Sequence, residues 1–161
     1  MLMSVLTDLA RRADSDSAKE VLTDGSLSLT FSELYQQALA VGTFLRSLGV
    51  GKGDRVGVLT SKTHEQPVAQ LGTLCAEAVF VPISDLLKPE QVRYIARDCG
   101  LRAAIVDHDK VDRLGELAAN ISIIATGTAL DDRYSTLQAI VRAGLIDGRP
   151  HVIGRDNAAI I

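Results

Sequence analysis

Five cationic or imidazole side chains, Lys62, His64, Lys88, His108 and Lys110, fall in three short polar stretches at residues 60–64, 84–88 and 107–110. Each stretch follows an apolar run, and donors gathered there beside helix N-termini suit phosphate or another anion. The same residues are what any polar loop flanking a helix displays, and His64 fits equally as a solvent-facing residue of a first helical turn. The 3 histidines lack H-x-x-x-H spacing and make no metal site. Asp107, closing an apolar run, has the placement of a phosphoacceptor, but that chemistry needs an acidic pair at an earlier strand end to hold Mg²⁺, and none is present. No G-x-G-x-x-G, G-x-x-x-x-G-K-[ST] or G-x-S-x-G occurs. Gly49-Val50-Gly51-Lys52-Gly53 leads from a helix into a strand, the reverse of a phosphate cradle, and reads as a turn. No catalytic, cofactor-binding or metal-ligating set is therefore assigned.

The elements that position these stretches repeat. Residues 1–12 read as an amphipathic helix with Leu2, Val5, Leu6 and Leu9 on one face. Two short runs around Asp24-Gly25 read as a β-hairpin with both turn residues at positive φ. Thr30 and Glu33 form a capping box ahead of a helix whose stripe is Phe31, Leu34, Ala38, Val41, Leu45 and Leu48, ended by Gly49. The run Val56-Gly57-Val58-Leu59 lacks polar alternation, as strands buried on both faces do. Thr63 and Gln66 are expected to cap the next helix, with Val68, Leu71, Leu74, Cys75 and Ala78, and Val79 to Ile83 follow as a strand. Pro89 opens a helix through Val92, Ile95 and Cys99 to Gly100, before the strand Ala103-Ala104-Ile105-Val106. Val111, Leu114, Leu117 and Ala118 mark a further helix, and Ile121-Ser122-Ile123-Ile124 a further strand. This alternation implies right-handed crossovers and an α/β fold with a doubly wound, mostly parallel sheet flanked by helices, preceded by the hairpin. The chain divides into a leading helix and linker (1–19), a βαβ core (20–126), and an irregular connection with a terminal strand (127–161). Residues 134–143 read as one more helix, and Ala158-Ala159-Ile160-Ile161 is an apolar strand-like run with no cap or polar tail.

Composition bounds the answer. The 161 residues are 47% hydrophobic and 23% charged, which fits one globular domain and excludes disorder and coiled coil. A net charge of −3 and 4% aromatic residues argue against nucleic acid and anionic membrane. Cys75 and Cys99 lie in apolar helical patterns and read as buried thiols of a reducing compartment rather than a disulfide. No charged-then-apolar leader and no membrane-length apolar run appear, so the expected location is the cytoplasm.

Several segments together carry a resemblance. Leu29-Thr30-Phe31-Ser32-Glu33-Leu34, then Leu45-Arg46-Ser47-Leu48-Gly49-Val50-Gly51-Lys52-Gly53-Asp54-Arg55-Val56, resemble the N-terminal part of the AMP-forming acyl-CoA synthetases and related adenylating ligases. Ala78-Val79-Phe80-Val81-Pro82-Ile83, Leu87-Lys88-Pro89-Glu90-Gln91-Val92-Arg93-Tyr94-Ile95 and Asp156-Asn157-Ala158-Ala159-Ile160-Ile161 extend it. The resemblance runs from about residue 20 to 161, and bacterial acyl-CoA ligases are the most similar.

In that family a carboxylate attacks the α-phosphate of ATP to give an acyl-adenylate and pyrophosphate, and a thiol, usually CoA, takes the acyl group. The resemblance implies ATP, Mg²⁺ and CoA for a parent enzyme and no cofactor bound by this chain alone. It places the T-S-G-S-T-G-x-P-K-G phosphate loop just after Ile161, with the adenine-contacting segment, the ribose-binding aspartate and the catalytic lysine further on. The chain is then expected to be a truncated, catalytically incompetent first part whose partner is the remainder of the ligase, with self-association through the 158–161 edge. A non-catalytic binding or regulatory module derived from the same fold is the alternative, and a flavodoxin- or receiver-like domain a third. Two departures stand out: Glu77 where the family often has Gly, and Ser84-Asp85 where it often has Asn-Pro. Burying Glu77 would be costly, so its carboxylate is expected to reach solvent or a cation. The Ser84-Asp85 change leaves no cofactor contact to carry over, and only the rim at 84–88 and 108–113 is where the resemblance would bring the CoA nucleotide.

Overall fold

In a computed structural model, which describes residues 4–25, 27–127 and 132–148, the chain forms a two-stranded hairpin and a five-stranded parallel sheet with helices on both faces. Helix α1 (Val5–Ser15) is capped by Ser4, whose hydroxyl accepts from the Thr7 N–H. It starts and ends about one turn later than expected. Leu6 and Leu9 are buried but Val5 is 57% exposed, so Val5 does not belong to the apolar face.

Strands β1 (Glu20–Thr23) and β2 (Ser28–Thr30) pair antiparallel as expected, but not through a two-residue turn. Thr23 pairs with Ser28, which leaves a longer connection closed by the Asp24 N–H donating to the Leu27 carbonyl. Gly25 takes a left-handed φ of 83° and Asp24 does not. The connection is therefore not the type I′ turn that Asp-Gly favours, and the Asp24 carboxylate accepts from His64 instead.

The capping box forms: the Glu33 N–H donates to Thr30 Oγ1 (3.2 Å) and the Thr30 N–H to Glu33 Oε2 (2.8 Å). It opens α2 (Phe31–Ser47), and Gly49 follows at φ 80°. Strands β3 (Arg55–Leu59), β4 (Val79–Pro82), β5 (Ala103–Asp107), β6 (Ser122–Thr126) and β7 (Ser135–Thr136) lie in the order β4-β3-β5-β6-β7. Between them run α3 (Glu65–Cys75), α4 (Pro89–Asp98) and a 3₁₀ segment (His108–Ala119), and α5 (Leu137–Ala143) comes last. The 3₁₀ segment replaces the expected regular helix because Gly115, at φ 57° and ψ −136°, breaks it. The 158–161 strand and the association edge expected there lie outside the described residues.

Alternation along the strands sorts the core into two layers. Val56, Val58, Ala103, Ile105 and Ile124 face α1, α2, α3 and α5. Leu59, Val81, Ala104, Val106 and Ile123 face α4 and the 3₁₀ segment. Glycines set the closest helix–helix approach. A Cβ on Gly42 of α2 would stand 2.5 Å from Cys75 Cβ, and one on Gly72 of α3 would stand 2.5 Å from Val41 Cγ1. Cys75 is buried, with its thiol pushed up to about 12 by desolvation, and Cys99 is half-buried; both are free.

Glu77, just past α3, is the non-glycine residue at positive φ (61°) among the described residues. A left-handed turn there returns the chain into β4, which is the reason a glycine suits this position. Glu77 is half-exposed, in line with a carboxylate that avoids full burial.

Candidate functional site

The chain runs from β3 to β4 on one side and then crosses to β5 on the other, so the strand order reverses between β3 and β5. In open α/β sheets the crevice at the carboxyl ends of such strands is where ligands bind. The loop after β3 turns toward α3 and the loop after β5 toward the opposite face, and Asp107 closes β5 between them.

Asp107 is the hub of that edge. Its Oδ2 accepts from the Ser61 N–H (2.8 Å), the Ser61 hydroxyl (2.7 Å) and Lys110 Nζ (2.6 Å), and its Oδ1 from the Thr126 hydroxyl (2.6 Å). Burial pushes the Asp107 carboxyl up, but the bonds from Lys110, Thr126 and Ser61 more than offset it and hold it below the usual aspartate value. Lys110 Nζ also donates to Ser61 Oγ (2.8 Å) and lies 3.8 Å from an Asp85 carboxylate oxygen. One ammonium, 8% exposed, thereby ties together the strand ends of β3, β4 and β5, and β6 joins through Thr126. Arg113 adds a second tie, donating to the carbonyls of Asp85 (2.7 Å) and Leu87 (3.3 Å).

The expected anion-binding cluster is thus only partly realised. Lys110 is not free for an anion, because it is buried against Asp107. His64 is drawn away too: its N–H and its Nδ1 both lie 2.6 Å from Asp24 Oδ2, which pins the hairpin turn to the rim. That contact displaces the expected Thr63–Gln66 capping box. The His64 side chain makes no cap bond, Gln66 Nε2 reaches the Thr60 carbonyl (3.4 Å), and Thr63 Oγ1 accepts from the Glu65 N–H (3.3 Å). Lys62 and Lys88 remain exposed at the rim and His108 is half-buried.

Two buried polar residues escaped the sequence reading. Glu65, 5% exposed, accepts the Gly127 N–H at Oε2 (2.9 Å), and its Oε1 is buried with no hydrogen-bond partner among the described residues. Thr60, 3% exposed, likewise has an unpartnered Oγ1. Desolvation pushes the Glu65 carboxyl up, with the Gly127 bond opposing it. The signal for the Asp107 hub was present in the i, i+3 spacing of Asp107 and Lys110, but nothing local marks Glu65, which resembles an ordinary acidic residue in a first helical turn.

The buried part of the rim does not fit a polyphosphate. The rim's buried cation is engaged, with carboxylates from Asp107 and Asp85 against it. Among the described residues no group of three or more His, Cys, Asp or Glu side chains converges as metal ligands. Away from the rim, an apolar groove of about 300 Å³ lies between α2 and α5, lined by Ala40, Phe44, Ala139, Ile140, Ala143 and Leu145.

Residues 9–158 match the family described as AMP-binding enzyme. The 3-hydroxybenzoate–CoA ligase of Aromatoleum sp. (strain CIB) is 31% identical over 121 residues, covering 69% of this chain and 23% of that protein. Surfactin synthase subunit 2 of Bacillus subtilis (strain 168) is 33% identical over 92 residues, 57% of this chain and 3% of that protein. Among solved structures, a benzoate CoA ligase from Burkholderia xenovorans LB400 superposes with a TM-score of 0.84 at 25% identity, covering 98% of this chain and 32% of that one. The anthranilate CoA ligase AuaEII in complex with anthranoyl-AMP gives 0.81 at 27% identity, over 93% of this chain and 30% of that one. The chain therefore spans a third or less of the length of each of these proteins.

Proposed function

The chain belongs to the AMP-binding enzyme family, and from that premise we propose that it is the N-terminal scaffold of an ATP-dependent, AMP-forming carboxylate–CoA ligase. The observation that carries this reading is the family match over residues 9–158, together with relatives of which the aligned part is only a fraction, 23% of the hydroxybenzoate ligase. The division into a leading helix (1–19), a βαβ core (20–126) and a connection (127–161) is part of the same proposal.

Forming an acyl-adenylate loads negative charge onto the α-phosphate, and positioned cations and N–H donors supply most of the catalysis of such transfers. In this chain Lys110 is neutralised by Asp107 and Asp85, and no phosphate loop occurs in the sequence. We infer that the chain alone forms no adenylate. ATP, Mg²⁺ and CoA belong to the complete enzyme, whose remaining polypeptide is the partner of this one. The contribution of this part is a rigid sheet edge, with Asp107, Lys110 and Arg113 fixing the loops at 60–64, 84–88 and 107–110 relative to one another.

Purified chain incubated with ATP, Mg²⁺ and a panel of aryl and alkyl carboxylic acids should release no pyrophosphate above background. Release at enzymic rates would refute the scaffold reading. For CoA, the rim at 84–88 and 108–113 forms one surface through Arg113, with Lys88 exposed on it. A titration with millimolar CoA should move the amide resonances of those loops first, and unmoved loops would remove the CoA assignment.

A further inference from the structure

Glu65 sits where a carboxylate gains least. It is 5% exposed, yet only one of its oxygens is paired, by the Gly127 N–H at 2.9 Å, while Oε1 is buried without a partner among the described residues. An ionised carboxylate offers about four acceptor sites and is costly to bury with most of them empty. A protonated one is a far cheaper guest. Gly127, its partner, is the first residue after β6, at a left-handed φ of 77°, and is itself exposed. The bond therefore joins the first turn of α3 to the exit of the sheet, across 62 positions of sequence.

We propose that the Glu65 carboxyl is a proton-operated clamp on the exit of β6, closed on Gly127 when protonated and loosened when ionised. Among the described residues, the charged groups around it come from three elements. The His64 imidazole, beside it at the start of α3, favours the ionised form only while it carries a proton. Asp107 at the end of β5 and Asp24 in the hairpin turn oppose ionisation, and Lys110, the buried ammonium of the rim, is committed to Asp107. Thr126 and Gly127 from β6 and its exit bring no titratable group. The Gly127 N–H bond by itself favours the ionised carboxyl, but desolvation of the buried group with its unpartnered Oε1 outweighs it. The closed form thus binds a proton more tightly than an open form with Glu65 in water, and by linkage opening becomes easier as pH rises. The clamp requires nothing of the ligase reading and stands if that reading fails.

Hydrogen exchange on the 161-residue chain tests it, with the Gly127 amide followed by NMR at pH 5 and pH 8, each corrected for the intrinsic rate, and the β5 amides as reference. The expected result is a several-fold loss of Gly127 protection at pH 8 with β5 unchanged, and Glu65→Gln should keep Gly127 protected at both pH values. Equal protection at the two pH values in the wild type would overturn the proposal, as would a pH response shared with β5 or persisting in Glu65→Gln. Should Glu65→Gln not fold, the wild-type Glu65 carboxyl carbon and Gly127 amide shifts decide. A common inflection supports the clamp, and separate inflections sink it.

Discussion

Asp107 and Glu65 stand on the same edge of the sheet with opposite responses to acid. Hydrogen bonds hold Asp107 below its ordinary value of 3.8, so the stability it confers is fully present above that pH and is lost as pH falls through its lowered value. Asp24, held down mainly by the His64 N–H, and Glu33, held down mainly by the Thr30 N–H, act in the same direction. Thermal melts should therefore show the midpoint dropping below about pH 4, where model aspartates take up protons, with Asp107→Asn flattening part of that slope. Asp107→Ala would leave the Lys110 ammonium buried without its main counter-charge, a loss of about 3 kcal/mol, read by denaturant unfolding. At Glu77 the effect reverses. Its φ of 61° strains a side chain-bearing residue, and Glu77→Gly should stabilise the chain by about 0.5–1 kcal/mol. A loss of stability in that variant would show that contacts of the Glu77 side chain outweigh the backbone strain.

Among the elements, the contact of α2 with α3 tolerates the least change. Adding a methyl at Gly42 puts a carbon 2.5 Å from Cys75 Cβ and 2.9 Å from the Cys75 carbonyl carbon, and backbone cannot step aside as a side-chain end can. Gly42→Ala should cost about 1–3 kcal/mol in chemical denaturation, against a near-neutral Gly51→Ala, where nothing lies within 4 Å. Helix α2, its capping box and the turn at Gly49 were legible in the sequence because each signal lies within a few residues of its partner. The start of α3 was not. His64 and Asp24 are 40 positions apart, and their contact redirects Gln66 and Thr63 to roles no local pattern announces. The 3₁₀ character of residues 108–119 escaped for a similar reason, since Val111 and Leu114 are buried as a helix would bury them while Gly115 alone breaks the spiral.

As a whole molecule the chain leaves apolar surface uncovered. Leu86 is 89% exposed, Leu145 71% and Ile146 41%, and the groove between α2 and α5 adds to them. In the scaffold reading such surface is what the rest of a ligase would cover. Light scattering at rising concentration should show the mass climbing above that of one chain, with Leu145→Lys shifting the rise to higher concentration. A constant single-chain mass would count against open apolar faces as the mark of a part separated from its whole.

Most of the elements and the parallel sheet were legible in the amino-acid sequence, because burial periodicity, caps and turn residues act over distances of a few residues, whereas β7, inside residues 134–143 that read as one helix, and the 3₁₀ segment were not. The chemistry of the rim was decided only in three dimensions. Lys110 reads as a donor for an anion until the fold sets Ser61, 49 positions away, and Asp85 beside it and buries it. Charge along a chain is a list, whereas the field at an atom depends on which loops the sheet brings within a few ångströms, and that is fixed by tertiary packing.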